Sequence, residues 1–287
     1  MKEIVIISGK GGTGKTSVTA SLAALAEDAV IVDCDVDAAD LHLVLKPKVD
    51  VEHEFFSGKV AETDLEKCTG CGKCRELCRF EAIREDFSID PVACEGCSVC
   101  GHFCPENAIT LREKMAGRWF EGSSRFGPVY YARLNIAEDN SGKLVSEVRN
   151  SAKVYARDEG KKNVIIDGPP GIGCPVIASI TGASMLLVVT EPTVSGVHDM
   201  KRVVELAEHF KIPVMVCINK YDLSTRITKE LEKFCAEKKI PVAGKIPFDT
   251  IVTDAMVAGL PVVEYGSGPV TDELKKIWQK IQELPLD

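Results

Sequence analysis

Length, composition and charge limit the class of protein before any motif is considered. The chain has 287 residues, of which 45% are hydrophobic, enough for one large or two modest globular domains with a sizeable core. Its 43 acidic and 35 basic side chains give a net charge of −8, which argues against a nucleic-acid coat or a polybasic membrane contact. We therefore expect proteins and small molecules as partners, with no nucleic acid and no stable membrane association.

The start of the chain and its cysteines together predict a cytoplasmic protein. The opening MKEIVIISGK has too short an apolar core for a signal peptide, and no apolar stretch of about 18 residues follows it. Twelve cysteines in that compartment do not indicate a disulfide framework. Eight of them lie between Cys68 and Cys104 in two equal groups, which indicates metal chemistry.

The chain begins with the pattern of a strand, a glycine-rich loop and a helix. An apolar run from Ile4 to Ile7 precedes the loop, and a helix-forming stretch runs from Ser17 to Glu27. The loop contains the pattern G-x4-G-K-[ST], in which backbone N–H groups cradle phosphates, the lysine neutralises them and the hydroxyl ligates magnesium. The predicted nucleotide-binding residues here are Gly9, Lys10, Gly11, Gly12, Thr13, Gly14, Lys15, Thr16 and Ser17.

A series of carboxylates follows the second predicted strand. The segment AVIVDCDVDAADLHL gives an apolar strand that ends at Asp33, and further acids come directly after it. Acids just beyond the carboxyl end of a parallel strand face a bound nucleotide, although a run of charges can also be a solvated loop. We predict a functional role for Asp35, whereas Asp37 and Asp40 remain open between an approach to magnesium and a solvated loop.

Two runs of four cysteines share the spacing C-x2-C-x2-C-x3-C. The first run is Cys68, Cys71, Cys74 and Cys78, and the second is Cys94, Cys97, Cys100 and Cys104. The doubled run resembles that of two-cluster bacterial ferredoxins, in which three thiolates of one run and the fourth of the other hold one [4Fe-4S] cluster. The resemblance implies two clusters, one on Cys68, Cys71, Cys74 and Cys104, the other on Cys94, Cys97, Cys100 and Cys78. The alternative is a pair of structural zinc sites, because C-x2-C pairs also bind zinc.

The cysteine-rich segment is also an internal duplication. FEAI at 80–83 follows the first run and ENAI at 106–109 follows the second. The first run ends in Cys78-Arg79, where the ferredoxin pattern has Cys-Pro, so the potential and solvent exposure of the second cluster stay open. The ferredoxin resemblance covers about residues 60–113, and this segment enters the chain shortly after Asp35.

A third apolar strand ends in an aspartate beyond the cysteine-rich segment. NVIIDGPPGIG, from residue 163, closes on Asp167 and continues into a Gly-Pro loop that includes Gly171. Such an element predicts a carboxylate that binds magnesium through water and a loop that senses the γ-phosphate.

Further strands alternate with helices in the last third of the chain. The apolar strands SMLLVVTEPT, VMVCINKYDL and VAGKIPFD are separated by helical stretches near 196–211 and 225–239, which predicts a parallel sheet with ligands at the carboxyl ends. Asn219, Lys220 and Asp222 fit N-K-x-D, the guanine-binding motif of GTPases, so the motif alone does not decide the base. With Pro247, these residues form the predicted base site.

Together these motifs resemble the deviant Walker A ATPases, the class of MinD, ParA, Mrp and the nitrogenase iron protein. Their pattern K-G-G-x-G-K-[ST] is matched by Lys10 to Thr16. The resemblance implies that Lys10 reaches the nucleotide of a second subunit, so that ATP holds a homodimer together. It further implies that Asp35 orients the attacking water, that Thr16, Asp35 and Asp167 hold magnesium, and that Asn219 contacts adenine. The match at Lys10 favours ATP or ADP over guanine nucleotides.

The remaining cysteines are expected to be free thiols. Cys174 lies where the nitrogenase iron protein places one ligand of a cluster shared across its dimer, but the chain shows no convincing second ligand of that kind. We therefore expect Cys174 to be a buried free thiol. Cys34, Cys217 and Cys235 fall in strand or helix patterns and are expected in the core.

The expected fold is α/β, a doubly wound, mostly parallel P-loop NTPase sheet with an inserted small α+β ferredoxin-like domain. Residues 1–58 and 114–287 would form the ATPase domain and residues 59–113 the insert. Residues 115–133 are expected to be a strand pair with core aromatics. Near the carboxyl terminus, VTDELKKIWQKIQELP has one apolar helical face, which we expect to pack on the core and not on a membrane.

Three functions follow from this architecture. The first is an ATP-driven dimer switch that couples hydrolysis to two [4Fe-4S] clusters and delivers electrons to a protein partner. The second is a carrier or assembly ATPase for iron-sulfur or other metal cofactors, although eight thiolates saturate two cubes and leave no open iron site. The third is a positioning ATPase in which the clusters act as a redox sensor or a structural element.

Overall fold

The computed structural model describes residues 1–136, 138 and 141–284. Residues 137, 139, 140 and 285–287, which the predicted ATPase domain includes, lie outside the described residues. The chain divides into two compact units, the first formed by Met1–His53, Trp119–Arg133 and Ser141–Asp287, the second by Glu54–Arg118 and Leu134–Asn140. That residues 59–113 are a ferredoxin-like domain remains a prediction.

Strands and helices alternate along the described chain. The strands are β1 Lys2–Ile7, β2 Ala29–Asp33, β3 Lys48–Thr63, β4 Ile109–Ser124, β5 Gly127–Leu134, β6 Asn163–Asp167, β7 Met185–Thr190, β8 Val214–Asn219 and β9 Val242–Ile246. The helices are α1 Lys15–Leu25, α2 Leu41–Leu45, α3 Lys73–Leu77, α4 Val99–His102, α5 Ser141–Asp158, α6 Cys174–Ile180, α7 Val194–His209, α8 Thr225–Lys238, α9 Ile251–Ala258, α10 Val262–Tyr265 and α11 Pro269–Glu283. A single 3₁₀ turn spans Tyr221–Leu223.

The first unit is built on a mostly parallel sheet, as the sequence predicts. Its strand order is β3-β4-β5-β2-β6-β1-β7-β8-β9, where β3 and β4 contribute only the ends that belong to this unit. β1 pairs in parallel with β6 and β7, β2 with β5 and β6, and β8 with β7 and β9. The carboxyl ends of β1, β2 and β6 therefore meet at one edge of the sheet, where ligands bind in such folds.

The strands are apolar because both faces of the sheet are covered. Ile4 and Ile6 of β1 pack in one cluster with α1 and with the apolar face of α11. In α11, Leu274, Ile277 and Ile281 are buried in that cluster, which confirms that this helix packs on the core. None of the helices in the described part of the chain combines the length and apolarity that crossing a membrane requires.

The predicted strand pair at residues 115–133 corresponds to the end of β4 and most of β5. Its aromatic residues Trp119, Tyr130 and Tyr131 are buried, as expected for core side chains. The structure makes β4 longer than predicted, since it begins at Ile109 and therefore continues out of the cysteine-rich segment.

The second unit repeats its backbone with an offset of 26 residues. Positive φ angles recur at Gly70 and Gly96, and again at Gly72 and Ser98, the residues that precede α3 and α4. The halves also exchange backbone hydrogen bonds, since Asp64 N donates to Ala108 O at 2.7 Å and Asp90 N to Ala82 O at 2.7 Å. The internal duplication predicted from the sequence is thus confirmed in the backbone, and each half is completed by the other.

Candidate functional site

The glycine-rich loop joins β1 to α1 at the carboxyl edge of the sheet. Gly14 precedes Lys15, the first residue of α1, with a φ of 89°. A Cβ at Gly14 would lie 2.3 Å from Nδ2 of Asn219, so only glycine fits this position. Thr13 Oγ1 is buried and has no hydrogen-bond partner among the described residues, as expected for a loop that awaits a polar ligand.

The structure brings three predicted site residues together around one ammonium group. Nζ of Lys15 lies 2.9 Å from Oδ1 of Asp167 and 3.4 Å from Oδ2 of Asp35. Burial lowers the pKa of Lys15, but Asp167, Asp35 and Asp33 outweigh it and hold the pKa above its ordinary value. The lysine is therefore a firmly charged group that bridges the ends of β2 and β6.

Two hydroxyl groups of α1 lie beside the carboxylate of Asp167. Thr16 Oγ1 donates to Oδ2 of Asp167 at 2.8 Å, in agreement with the predicted proximity of these two residues. Thr19 Oγ1 lies 2.7 Å from Oδ1, a contact that the sequence analysis missed. The sequence signal for Thr19 was its spacing, because a hydroxyl four residues after Lys15 lies on the same face of the helix as Lys15.

Asp33 holds the segment that carries Asp35. Its carboxylate is fully buried and accepts hydrogen bonds at 3.1 Å from the backbone N–H groups of Asp35 and Leu41. Burial, and then the charge of Asp167, raise the pKa of Asp33 well above its ordinary range, and burial also raises the pKa of Asp35. Asp37 and Asp40 are exposed, so the structure does not choose between their two open roles.

Lys10 makes its contacts within its own chain. Its Nζ lies 2.7 Å from Oε1 of Glu191 and 3.0 Å from Oγ of Ser195. Glu191 also forms an ion pair with Lys220, with 3.2 Å between Nζ and Oε2. Burial raises the pKa of Glu191, but the hydrogen bonds from Lys10 and Lys220 outweigh it and hold the pKa below its ordinary value.

The predicted base-site residues lie at the end of β8 and in the segments that follow β8 and β9. Nδ2 of Asn219 donates to the carbonyl oxygen of Thr13 at 2.7 Å, so this amide ties β8 to the glycine-rich loop. Oδ1 of Asp222 accepts the backbone N–H of Phe248 at 2.8 Å, which places Asp222 beside the segment that begins with Pro247. The contact of Asn219 with a base therefore remains a prediction.

Gly171, in the loop after β6, is hydrogen-bonded to the residue between β1 and the glycine-rich loop. Its N–H donates to Ser8 O at 2.9 Å. Gly168 N likewise donates to Ile6 O at 2.8 Å. The predicted γ-phosphate loop is thus in backbone contact with β1 and with the residue that precedes the phosphate-binding loop.

The second unit contains two cavities that are each lined by four cysteines. A cavity of about 320 Å³ is lined by Cys78, Cys94, Cys97 and Cys100. A smaller one of about 20 Å³ is lined by Cys68, Cys71, Cys74 and Cys104. Each set comprises three thiols of one run and the fourth of the other, as the ferredoxin resemblance implies. Among the described residues, no three His, Cys, Asp or Glu side chains have the geometry of a single-ion site.

The other cysteines follow expectation with one exception. Cys34, Cys217 and Cys235 are buried, as predicted, and burial raises the pKa of each thiol. The prediction that Cys174 is buried was wrong, because its side chain is exposed. Cys174 is the first residue of α6, directly after a glycine loop, and the core-facing residues of that helix begin later, at Val176.

The fold and the charged cluster at the sheet edge define a P-loop ATPase of the MinD and ParA type. Residues 4–262 match the CobQ/CobB/MinD/ParA nucleotide binding domain, and the chain belongs to this family. The resemblance drawn from the glycine-rich loop is confirmed to that extent. This match does not bear on the prediction of an inserted ferredoxin-like domain or of iron-sulfur clusters.

Related proteins cover nearly the whole chain. An uncharacterized protein of Methanocaldococcus jannaschii is 34% identical over 285 residues, which are 98% of this chain and 97% of the relative. A putative septum site-determining protein MinD of Mesostigma viride is 26% identical over 276 residues, or 91% of this chain and 76% of the relative.

Solved structures of MinD share the fold. The cell division ATPase MinD of Pyrococcus furiosus has a TM-score of 0.60 at 22% identity, with 99% of both chains covered. MinD of Pyrococcus horikoshii OT3, solved in complex with Mg-ADP, has a TM-score of 0.60 at 20% identity, covering 98% of this chain and 96% of the other. At these identities the similarity concerns the fold alone.

Proposed function

We propose that this protein is an iron-sulfur ATPase, in which ATP binding and hydrolysis by the first unit control two [4Fe-4S] clusters carried by the second. The observation that carries the proposal is the pair of four-cysteine cavities with crossed ligand sets on a chain of the MinD and ParA family. Eight thiolates suffice to bind two complete cubes. Because such saturated cubes leave no open iron site, the clusters would serve electron transfer to a protein partner.

The residues at the sheet edge fit a magnesium nucleotide. The donor set of hydroxyl and carboxylate oxygens on Thr16, Asp35 and Asp167 suits Mg²⁺. When bound, the metal would neutralise charge on the transferred phosphoryl group. Lys15 and the backbone of the loop would bind the phosphates, and the Asp35 carboxylate would orient the attacking water. A MinD relative solved with Mg-ADP supports this assignment.

Lys10 is the residue that we propose for a nucleotide-dependent homodimer. To reach the nucleotide of a second subunit, its ammonium must leave Glu191, Thr193 and Ser195 of its own chain. Without ATP the protein would therefore be a monomer, and it would dimerise when ATP offers Lys10 a more strongly charged partner. The cycle would reset when hydrolysis removes that partner.

The cluster assignment is tested by anaerobic reconstitution followed by iron and sulfide analysis. We expect about eight iron and eight sulfide per chain. Cys104→Ser should disturb the cluster of the first run, and Cys78→Ser that of the second, in electron paramagnetic resonance spectra. Cys174→Ser is the matched control, because its exposed thiol lies outside both cavities. Zinc in place of iron, with no sulfide, would overturn the assignment.

Electron delivery is tested with the reduced protein and a one-electron acceptor. We expect faster transfer with ATP than with a non-hydrolysable analogue. Equal rates with both nucleotides would exclude coupling of hydrolysis to electron transfer.

The exposure of Cys174 favours a second candidate, a carrier that passes an iron-sulfur unit to an apo target. This function requires a labile cluster beyond the eight thiolates of the cavities. A Cys174→Ala protein that transfers iron and sulfide to an apo-ferredoxin at the wild-type rate would exclude Cys174 from such a role.

A further inference from the structure

We infer that Thr19 is a positioning residue for the magnesium-directed carboxylate of Asp167. The inference rests on the proposed function of the first unit as a magnesium-dependent nucleotide site. Thr19 lies outside the G-x4-G-K-[ST] pattern, which ends at Thr16, so the motif assigns it no role.

Three side chains of α1 contact the carboxylate of Asp167. Nζ of Lys15 lies 2.9 Å from Oδ1, and Oγ1 of Thr16 lies 2.8 Å from Oδ2. Oγ1 of Thr19 lies 2.7 Å from Oδ1, the shortest of the three distances. The carboxylate is almost fully buried, with 1% of its residue exposed, so its orientation depends on these donors.

When nucleotide and magnesium bind, two of these three side chains would contact the ligands in place of Asp167. Lys15 is the residue that the loop pattern assigns to the phosphates, and the hydroxyl of Thr16 is assigned to magnesium. Thr19 has neither assignment, and it is fully buried one helical turn further from the loop. Its hydroxyl is then the donor that continues to hold Asp167 when the site is filled.

The hydroxyl has a single proton, and the geometry indicates where it goes. Oγ1 of Thr19 also lies 3.0 Å from the carbonyl oxygen of Lys15, a bond within α1. The carboxylate is closer, at 2.7 Å, and a hydrogen bond to a charged acceptor is stronger than one to a neutral carbonyl. The proton therefore points to Oδ1 of Asp167. Oδ2, which accepts from Thr16, is the oxygen atom that would face the metal once the Thr16 hydroxyl turns to it.

The test compares Thr19→Val, which keeps the volume and removes the hydroxyl, with Thr19→Ser, which keeps the hydroxyl. ADP affinity is measured by calorimetry on the full-length protein, without metal and across a Mg²⁺ titration. We expect Thr19→Val to raise the half-saturating Mg²⁺ concentration about tenfold or more, the usual effect of losing a partner of a metal-directed carboxylate. Metal-free ADP affinity should be unchanged, and Thr19→Ser should behave like the wild type.

Ser21→Ala is the matched control. Ser21 is equally buried on α1, but its hydroxyl donates to Ser17 O at 2.8 Å and not to a carboxylate. This variant should leave the Mg²⁺ titration unchanged.

Two results would overturn the inference and leave the proposed function intact. One is a Thr19→Val protein whose Mg²⁺ titration matches that of the wild type. The other is a failure of both Thr19→Val and Thr19→Ala to fold while Ser21→Ala folds, which would make Thr19 a structural residue. A wild-type protein that binds ADP with no effect of Mg²⁺ would instead overturn the proposed magnesium site, and the inference with it.

Discussion

At the scale of single residues, the site is a cluster of buried acidic groups. Asp33, Asp35 and Asp167 are buried at one edge of the sheet, and Lys15 is the cation that faces them. Burial raises the pKa of Asp33 and Asp35 because an ionised carboxylate loses its hydration there. A divalent cation would balance this charge, which agrees with the donor set proposed for magnesium.

Asp35→Asn should separate hydrolysis from nucleotide binding. The substitution keeps the shape of the side chain but removes the base that orients water, so we expect the hydrolysis rate to fall about 100-fold or more. ADP binding measured without metal should change little, since Lys15 would keep Asp167 as its closer partner. Asp37→Asn, at an exposed position, is the control and should hydrolyse ATP at close to the wild-type rate. An equal loss in both variants would contradict the assignment of Asp35.

Glu191→Gln should lower the melting temperature in a pH-dependent way. The carboxylate binds Lys10 and Lys220, which hold its pKa below its ordinary value of 4.5 in the folded chain. A depressed pKa stabilises the fold above the unfolded pKa, and this contribution is lost as the pH falls through the folded value. The difference between wild type and variant should thus be largest near pH 7 and shrink below about pH 4.5.

The measurement is thermal unfolding followed by circular dichroism between pH 3 and pH 8. Glu205→Gln, at an exposed position on α7, provides the control. A difference that grows as the pH falls would have the opposite sign and would exclude the two ion pairs as its cause.

At the scale of elements, local sequence patterns predicted where strands and helices lie, but they did not predict the contacts between these elements. β2 and β6 end at Asp33 and Asp167 as expected, because an apolar run closing on a charge is a local signal. α1 begins at Lys15, two residues before the predicted Ser17, directly after Gly14, whose left-handed conformation glycine adopts without steric cost.

Contacts that join distant segments could not be predicted from such patterns. The ion pair of Lys10 with Glu191 connects two loops that are far apart in sequence. The exposure of Cys174 depends on how α6 packs. The spacing of Thr19 from Lys15 places both on one face of α1, but only the register of β6 beside β1 brings Asp167 to that face. These features need the assembled sheet, whereas the cysteine sets could be predicted because their spacing resembles a known pattern.

Ile277→Ala should show that α11 belongs to the core. Ile277 is fully buried in the cluster formed with β1 and β9, so its truncation removes apolar contacts and leaves a cavity. We expect the free energy of unfolding to fall by about 2 to 5 kcal/mol in urea titrations. Lys276→Ala, a neighbouring exposed position, should change it by less than about 0.5 kcal/mol. An unaffected stability, with loss of binding to anionic vesicles, would instead favour a membrane role for the helix.

At the scale of the whole molecule, two different kinds of site share one chain. The first unit has the fold and the loop of the MinD and ParA family, and the second has a duplicated backbone around two cysteine-lined cavities. Because each cavity takes its fourth thiol from the other half, neither half of the second unit lines a complete four-cysteine cavity alone. The chain passes from the first unit to the second within β3, and it returns to the first unit within β4.

The proposed dimer gives a prediction for the mass of the whole protein. Asp35→Ala protein with Mg²⁺ and ATP should be trapped in the bound state, and light scattering should then give twice the monomer mass of 31.1 kDa. Adding Lys10→Ala should keep the mass at one chain while calorimetry still detects ATP, because the glycine-rich loop and Lys15 remain. Adding Lys211→Ala instead, which removes an exposed lysine elsewhere, should leave the dimer intact. A dimer that persists without Lys10, or that forms equally with ADP, would mean that this lysine and the γ-phosphate do not hold the two chains together.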